Sequence, residues 1–313
     1  MNFLMTDAVC LTAMSGMFVL LTVASVITGL FRKLRPEKDV SEVVLRIKTW
    51  WAIVLMFCVV MVSGRAVSIG FFAFLSFIAL KEYLSLIPAR QADRQILFWV
   101  YLAIPVQYWC IYSGWDGMFI IFIPVGAFLF LPMGLVMTGE TRGFLYAAGS
   151  LHWGLMTTVF SLSNMAYLLV LPGVNAFTAS GPRLVIYLVC LTELNDVAQW
   201  TWGKSYGDRK VVPTVSPNKT WAGLIGGVAT TLLLAFLLAP YLTPLTPMQS
   251  LLAGLIIGVG GFFGDITVSA IKRDIGITRS GSLLPGHGGI LDRVDSLTCT
   301  APLFLHFVRY LHF

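Results

Sequence analysis

"DGMFIIFIPVGAFLFLPMGLVM", residues 116–137, has one charged side chain, at its first position, followed by an unbroken run of apolar and small residues. A helix needs about 20 such residues to cross a hydrocarbon core about 30 Å thick, and in lipid only helices and closed barrels satisfy the backbone. The stretch predicts a transmembrane helix. Similar segments recur at about 8–31, 49–64, 66–86, 95–113, 144–172, 182–202, 221–240, 248–271 and 294–311. The expected fold is all-α, a polytopic integral membrane protein of about 10 helices. The range is 9–10, because the second and tenth segments are short and the sixth is long enough to tilt or break. With 57% hydrophobic and 12% charged residues among 313, the composition exceeds what one water-soluble core buries.

Only Asp7 precedes the first segment as a charge, with no basic n-region, so a retained helix is expected rather than a cleaved signal. The five cysteines lie in or beside apolar segments without CxxC spacing, and read as small hydrophobes. The net charge of +6 invites a nucleic-acid reading, but its distribution argues against one. Sorted by alternate loops, all of the 21 lysines and arginines except Arg65, Arg183 and Arg309 fall on one side. The positive-inside rule makes that side cytoplasmic and puts both termini outside, with some attraction to anionic lipid.

One membrane domain, 1–313, is expected, with 1–180 as helical scaffold and 181–313 as the catalytic helices. The polar stretch 32–48 reads as a charged linker with a short surface helix near 38–48. The cytoplasmic loops 203–220 and 272–293 differ, because they mix glycine, proline, serine and aspartate with basic residues. No internal repeat or matched pair of broken helices suggests an inverted-repeat transporter.

Acidic residues near helix ends sharpen the reading. Glu193 and Asp196 lie near the cytoplasmic end of the seventh segment and Asp265 near that of the ninth. Each is a functional candidate, because a carboxylate in a span faces a partner or a wet cavity; a headgroup-level carboxylate paired with a lysine is the plain alternative. Asp265, Ser269 and Lys272 are four and three apart and share a helix face. If a helix starts near 291, Asp292 and Asp295 project together from its first turn, with Arg293 pointing elsewhere. Capping explains one carboxylate there; a pair asks for a cation. Mg2+ is the natural candidate, as a hard ion held by one or two carboxylates plus substrate phosphates, with Asp196 and Asp265 completing the cluster.

The loop 285–289, Pro-Gly-His-Gly-Gly, is suited to an anion nest in which Gly286, Gly288 and Gly289 leave backbone N–H groups open to a phosphate chain. Lys219, Lys272, Arg273 and Arg293 supply positive charge nearby. In "SPNKTWAG", 216–223, Ser216 opens the stretch, Asn218 reads as an N-cap and Lys219 as a first-turn residue. His287 reads either as a functional group or a structural hydrogen-bonder, and Trp221 as an interface-belt tryptophan. Gly254, Gly258, Gly261 and Gly264 pack helices within the chain or across a homodimer.

The stretch "SAIKRDIGITRSGSLLPGHGGILDRVDS", 269–296, resembles the signature of the phosphatidate cytidylyltransferases, or CDP-diacylglycerol synthases. "NDVAQWTWGKSYGDRKVVPTVSPNKTWAG", 195–223, and "GDITVSAIKR", 264–273, are similar to that family's other motifs. The resemblance implies that CTP plus phosphatidate gives CDP-diacylglycerol plus pyrophosphate, with Mg2+ required and K+ as a candidate monovalent partner. Asp196, Asp265, Asp292 and Asp295 fall at the family's acidic positions. Lys219, Lys272, Arg273, His287 and Arg293 fall at its cations and histidine. Four positions depart from the pattern: Ala222, Val268, Thr278 and Arg279, and the last two bear on metal binding or on the acceptor. Phosphatidate or a related anionic lipid, CTP and the bilayer are the expected partners, with a bacterial inner membrane as location. A CTP-dependent lipid or polyprenol kinase, a catalytically weak paralogue and a transporter are the alternatives.

Overall fold

In the computed structural model, residues 7–35, 37, 40–87, 94–171, 180–281, 283, 286 and 288–312 are described. Pro285, His287, Lys38 and Arg90 lie outside them. The chain runs through α1 (Ala8–Leu34), α2 (Ser41–Val62), α3 (Arg65–Leu86), α4 (Arg94–Ser113), α5 (Asp116–Ile121) and α6 (Phe128–Met137), then α7 (Phe144–Gly154), α8 (Ser161–Val170) and α9 (Ser180–Tyr206). A hairpin of β1 (Lys210–Val212) and β2 (Ser216–Thr220) follows, then α10 (Trp221–Leu242), α11 (Pro247–Asp274), α12 (Leu291–Val294) and α13 (Leu297–His312).

Eight helical segments are long and apolar enough to cross a membrane by length and composition among the described residues. Two of the expected spans are helices outside that set. α9 has 27 residues but carries Arg183, Glu193, Asp196 and Lys204, and α13 has only 16. The opening stretch is a span broken in the middle: α5 and α6 are joined by a π-helical turn, Phe122–Ala127, that contains Pro124. Proline lacks the N–H that an α-helical ladder needs at that point, and a π-turn absorbs the defect. The sixth segment has its own π-turn, Leu155–Phe160, between α7 and α8. The separate surface helix expected near 38–48 is instead the first part of α2, continuous through Val62.

One apolar cluster runs from Cys10 in α1 to Val308 in α13. The C-terminal helices approach closely because small residues line their contacts. A Cβ on Gly254 would stand 2.7 Å from the Ala235 Cβ, and one on Gly258 would stand 3.2 Å from Val228 Cγ2. Gly261 meets Asn195 and Gly264 the backbone of Asp295 and Ser296, so this stripe packs helices within the chain.

The three cations of the sparse side make internal contacts at one end of the bundle. Arg65 donates to the Ile111 carbonyl, Arg183 pairs with Asp7 and donates to the Tyr241 carbonyl, and Arg309 donates to Tyr167 Oη. The polar loops lie at the opposite end.

Candidate active site

Five elements meet at that opposite end. Asp196 comes from α9, Lys219 from β2, Asp265 from α11, Arg293 from α12, and Asp295 from the turn between α12 and α13. Lys219 sits in a strand and not in a helix turn, which corrects the expected helix start. The segment "KVVPTVSPNKT", 210–220, folds into the hairpin, with Lys210 paired to Thr220 and Val212 to Ser216. Thr220, not Asn218, caps α10, accepting from the Gly223 N–H at 3.1 Å. Ser216 is thereby a pairing residue of the ribbon.

Lys219 Nζ lies 2.6 Å from Asp265 Oδ2, donates to Gln199 Oε1 at 3.0 Å and stands 5.7 Å from the centre of the Phe262 ring. Burial pushes its ammonium toward neutrality, but Asp265 and Asp196 outweigh burial and hold its pKa above the ordinary lysine value. Asp265 also accepts from Ser269 Oγ at 3.2 Å, the helix-face pairing that their spacing predicted. Asp196 Oδ2 accepts from Ser296 Oγ at 2.8 Å. Its other oxygen, Oδ1, is buried without a hydrogen-bond partner among the described residues. Asp295 lies within electrostatic reach of Asp265, Asp196, Lys272 and Arg293. Arg293 is also within electrostatic reach of Glu193 and Asp196.

Asp292 and Asp295 take different partners, although both lie within electrostatic reach of Lys272. α12 stops at Val294 and α13 begins at Leu297, and Asp295, itself in helical conformation, stands in the turn between them. Asp292 Oδ1 accepts from Lys272 Nζ at 2.7 Å, and Oδ2 accepts from the N–H groups of Ser280 and Gly289 at 3.0 and 3.2 Å. Burial would raise its pKa, yet Lys272 and the two amides hold the carboxyl below the ordinary carboxylate range. Of the glycine loop, Gly289 gives its amide to Asp292, and Ser280 from outside that loop gives the other. Gly286 and Gly288 have φ of 76° and 85°, and a Cβ on Gly288 would stand 2.5 Å from Asp292 Oδ2. The Gly289 amide expected to face a phosphate faces a carboxylate instead.

Arg273 fastens the two polar loops together, its Nε donating to the Val215 carbonyl at 3.1 Å and its Nη1 to Ile277 at 3.2 Å. His287 lies outside the described residues. Val268 is explained by packing: it is buried against Tyr83 and Leu291, where a carboxylate would meet apolar side chains. Thr278 and Arg279 are exposed, and nothing in the structure explains them. Sequence reasoning missed Glu82 of α3, which accepts from the Ile290 and Leu291 N–H groups. It also missed the contact of α2 with the loop, where a Cβ on Gly286 would touch Leu45 and Arg46. No local signal marks either, so the division into scaffold and catalytic halves does not describe how the loop is held.

The donor set can be tested against Mg2+. Among the described residues, Asp196, Asp265, Asp295 and Glu193 face Lys219 and Arg293, so negative charge exceeds positive at a partly buried position. Protons or a further cation must relieve that excess, and Asp196 Oδ1 is a free oxygen donor. No preformed group of three or more carboxylate, cysteine or histidine ligands is closed around one point among the described residues. Mg2+ commonly takes only one or two carboxylates beside substrate phosphates and water, so this donor set is compatible with it without a closed group of three. Asp196 keeps Oδ1 open, whereas Asp265 and Asp292 each have both oxygens engaged.

A cluster of carboxylates and cations thus lies at one end of the apolar helices. The chain matches the cytidylyltransferase family over residues 44–311, and it belongs to that family. It is 48% identical over 298 residues, 95% of its length, to the Escherichia coli (strain K12) protein described as uncharacterized protein YnbB, of which it covers 98%. It is 39% identical over 132 residues, 41% of its length, to the phosphatidate cytidylyltransferase of Haemophilus influenzae, and spans 46% of that enzyme. With the phosphatidate cytidylyltransferase of Brucella suis it shares 32% identity over 207 residues, 62% of this chain and 72% of that one.

Proposed function

We propose that the protein transfers the cytidylyl group of CTP to phosphatidate or a related anionic phospholipid, giving a CDP-lipid and pyrophosphate. The observation that carries this reading is the cation-deficient pocket formed by Asp196, Asp265 and Asp295 around Lys219. Bound there, Mg2+ would neutralise phosphate charge and polarise the α-phosphorus; Asp196, Asp265 and Asp295 would hold it.

The chain's own residues do the rest. A lipid phosphate oxygen is already ionised and needs no base. It forms a bond to the α-phosphorus of CTP as the bond to the β-phosphate oxygen breaks, and the electron pair leaves with pyrophosphate. Lys219 and Arg293 stand where they would orient the phosphates and stabilise charge on the pentacoordinate transition state. Lys272, engaged with Asp292, keeps the loop closed beside them. CTP enters from the water and the lipid sideways from the leaflet. The side with the excess of cations is cytoplasmic by the positive-inside rule, which puts the reaction on the cytoplasmic face of a bacterial inner membrane.

Purified protein given CTP labelled at the α- or γ-phosphate, a panel of phospholipid and polyprenol acceptors, and Mg2+ or EDTA tests this. The expected outcome is α-label in lipid, pyrophosphate released, and no product in EDTA. Lipid carrying γ-label with CDP released would identify a kinase instead. Absence of nucleotide binding would identify an inert scaffold or a transporter.

A further inference from the structure

α3 lies in the N-terminal half, and its last turns, "ALKEYLSL" (79–86), read as an ordinary helix end. Glu82 nevertheless reaches the loop that carries the site. Its Oε2 accepts from the Ile290 N–H at 2.8 Å and its Oε1 from the Leu291 N–H at 3.2 Å. Both oxygens of one partly buried carboxylate therefore bind consecutive amides, and hydrogen bonds to a charged acceptor are the stronger kind. The fit leaves no room for side chains. A Cβ on Gly289 would overlap Glu82 Oε1, and one on Gly281 would stand 3.3 Å from its Cδ.

The helix that presents Glu82 is itself fixed. Tyr83 is buried, donates through Oη to the Ser150 carbonyl at 3.0 Å, and packs with Leu291 and Val268 in a small apolar cluster joining α3, α11 and α12. The amides that Glu82 holds are followed at once by Asp292, Arg293 and Asp295. α12 is only four residues long, Leu291–Val294, and too short to hold its own direction, so where it starts decides where those three side chains go.

We propose that Glu82 is a positioning residue for the reaction. From the N-terminal half of the chain it fixes the start of α12 and so holds Arg293 and Asp295 at the carboxylate pocket and Asp292 on its partners. It touches no reacting atom. Losing it disturbs geometry that matters most in the transition state, and kcat falls more than substrate binding weakens.

The activity half of the test rests on the cytidylyl-transfer reading and the exchange half does not. Wild type, Glu82→Gln and Glu82→Asp are compared in one detergent by amide hydrogen exchange and by steady-state kinetics with CTP. In Glu82→Gln one oxygen is replaced by an NH2 group that cannot accept, while Leu291 keeps its apolar contacts and the fold is retained. The expected result is faster exchange confined to the peptide covering 288–294. A kcat lower by about 10- to 100-fold accompanies it, as for other residues that orient ligating groups, with KM for CTP within about twofold. Glu82→Asp, which keeps the carboxylate, recovers part of the loss.

Unchanged exchange at 288–294, wild-type kcat in Glu82→Gln, or loosening of α3 and α11 as a whole together with the loop would each overturn the proposal. If the wild type itself transfers no cytidylyl group, that reading fails separately. The exchange comparison then still decides whether Glu82 holds the loop: local loosening supports it and unchanged protection overturns it.

Discussion

Lys272 and Lys219 form ion pairs of nearly equal length, 2.7 Å to Asp292 and 2.6 Å to Asp265, in the same polar cluster. Their surroundings differ. Lys272 is hydrogen-bonded to one carboxylate, Asp292, whose remaining oxygen is completed by two loop amides, and it acts on Asp295 only at longer range. Lys219 serves Asp265 while Asp196 and Asp295 also pull on it, and Asp196 keeps an oxygen without a partner among the described residues. Distance alone would class the two pairs together. Charge balance separates a closed structural joint from a site still short of positive charge.

Breaking the joint is expected to have the largest effect. Asp292→Ala strands a buried ammonium, which typically costs about 3–5 kcal/mol, read as a lower thermal midpoint and fast exchange in the 280–290 loop. If this variant is as stable as wild type, the distinction between the two lysines fails.

The open site should behave in the opposite way. Asp265→Asn or Asp295→Asn is expected to lower cytidylyl transfer by roughly 10²–10³-fold, the usual result of removing one stabilising group from a transition state. Relief of repulsion among neighbouring carboxylates leaves stability intact. Turnover with labelled CTP and a parallel thermal melt check both halves; destabilisation equal to that of Asp292→Ala would merge the two sites again.

Gly264→Ala tests the packing that brings the sites together, because its Cβ would stand 2.5 Å from the Asp295 carbonyl oxygen. Overpacking of this kind costs about 1–3 kcal/mol, and here it should lower activity as well as the thermal midpoint, because it moves the turn that bears Asp295.

The pH response sharpens the contrast further. The Asp292 carboxyl is held below its ordinary value, so the stability it contributes is fully present above the unfolded carboxyl's pKa of about 4 and is lost as pH falls through the lowered folded value. Protection of the 280–290 loop should fade on acidification in that window in the wild type, and Asp292→Asn should lack the dependence. The smallest effect belongs to Arg279→Asp, which restores an acidic residue at an exposed position. Stability should move by less than about 0.5 kcal/mol, so any change in acceptor preference in the lipid panel would be functional.

Much of the molecule was legible along the chain. Most apolar runs fall on helices, because hydrophobic length is a local property that a bilayer reads directly, though α2 begins well before its run and two runs are interrupted by π-turns. The one-sided cations and the glycine-rich loop marked the working end. The hairpin at 210–220 was misread although Val211, Val212 and Val215 around Pro213 carry a strand signal, because the following apolar run drew the helix start forward.

Sequence by itself determined that helices cross a membrane, which end of the bundle holds the polar chemistry, and which kinds of side chain gather there. Only the tertiary structure decided the partners: Lys219 with Asp265, Lys272 with Asp292, and Glu82 with amides more than 200 residues away. Hydropathy and helical spacing are written in neighbouring residues. Charge pairing depends on how glycine-lined helices come together, and that is fixed only when the whole bundle packs.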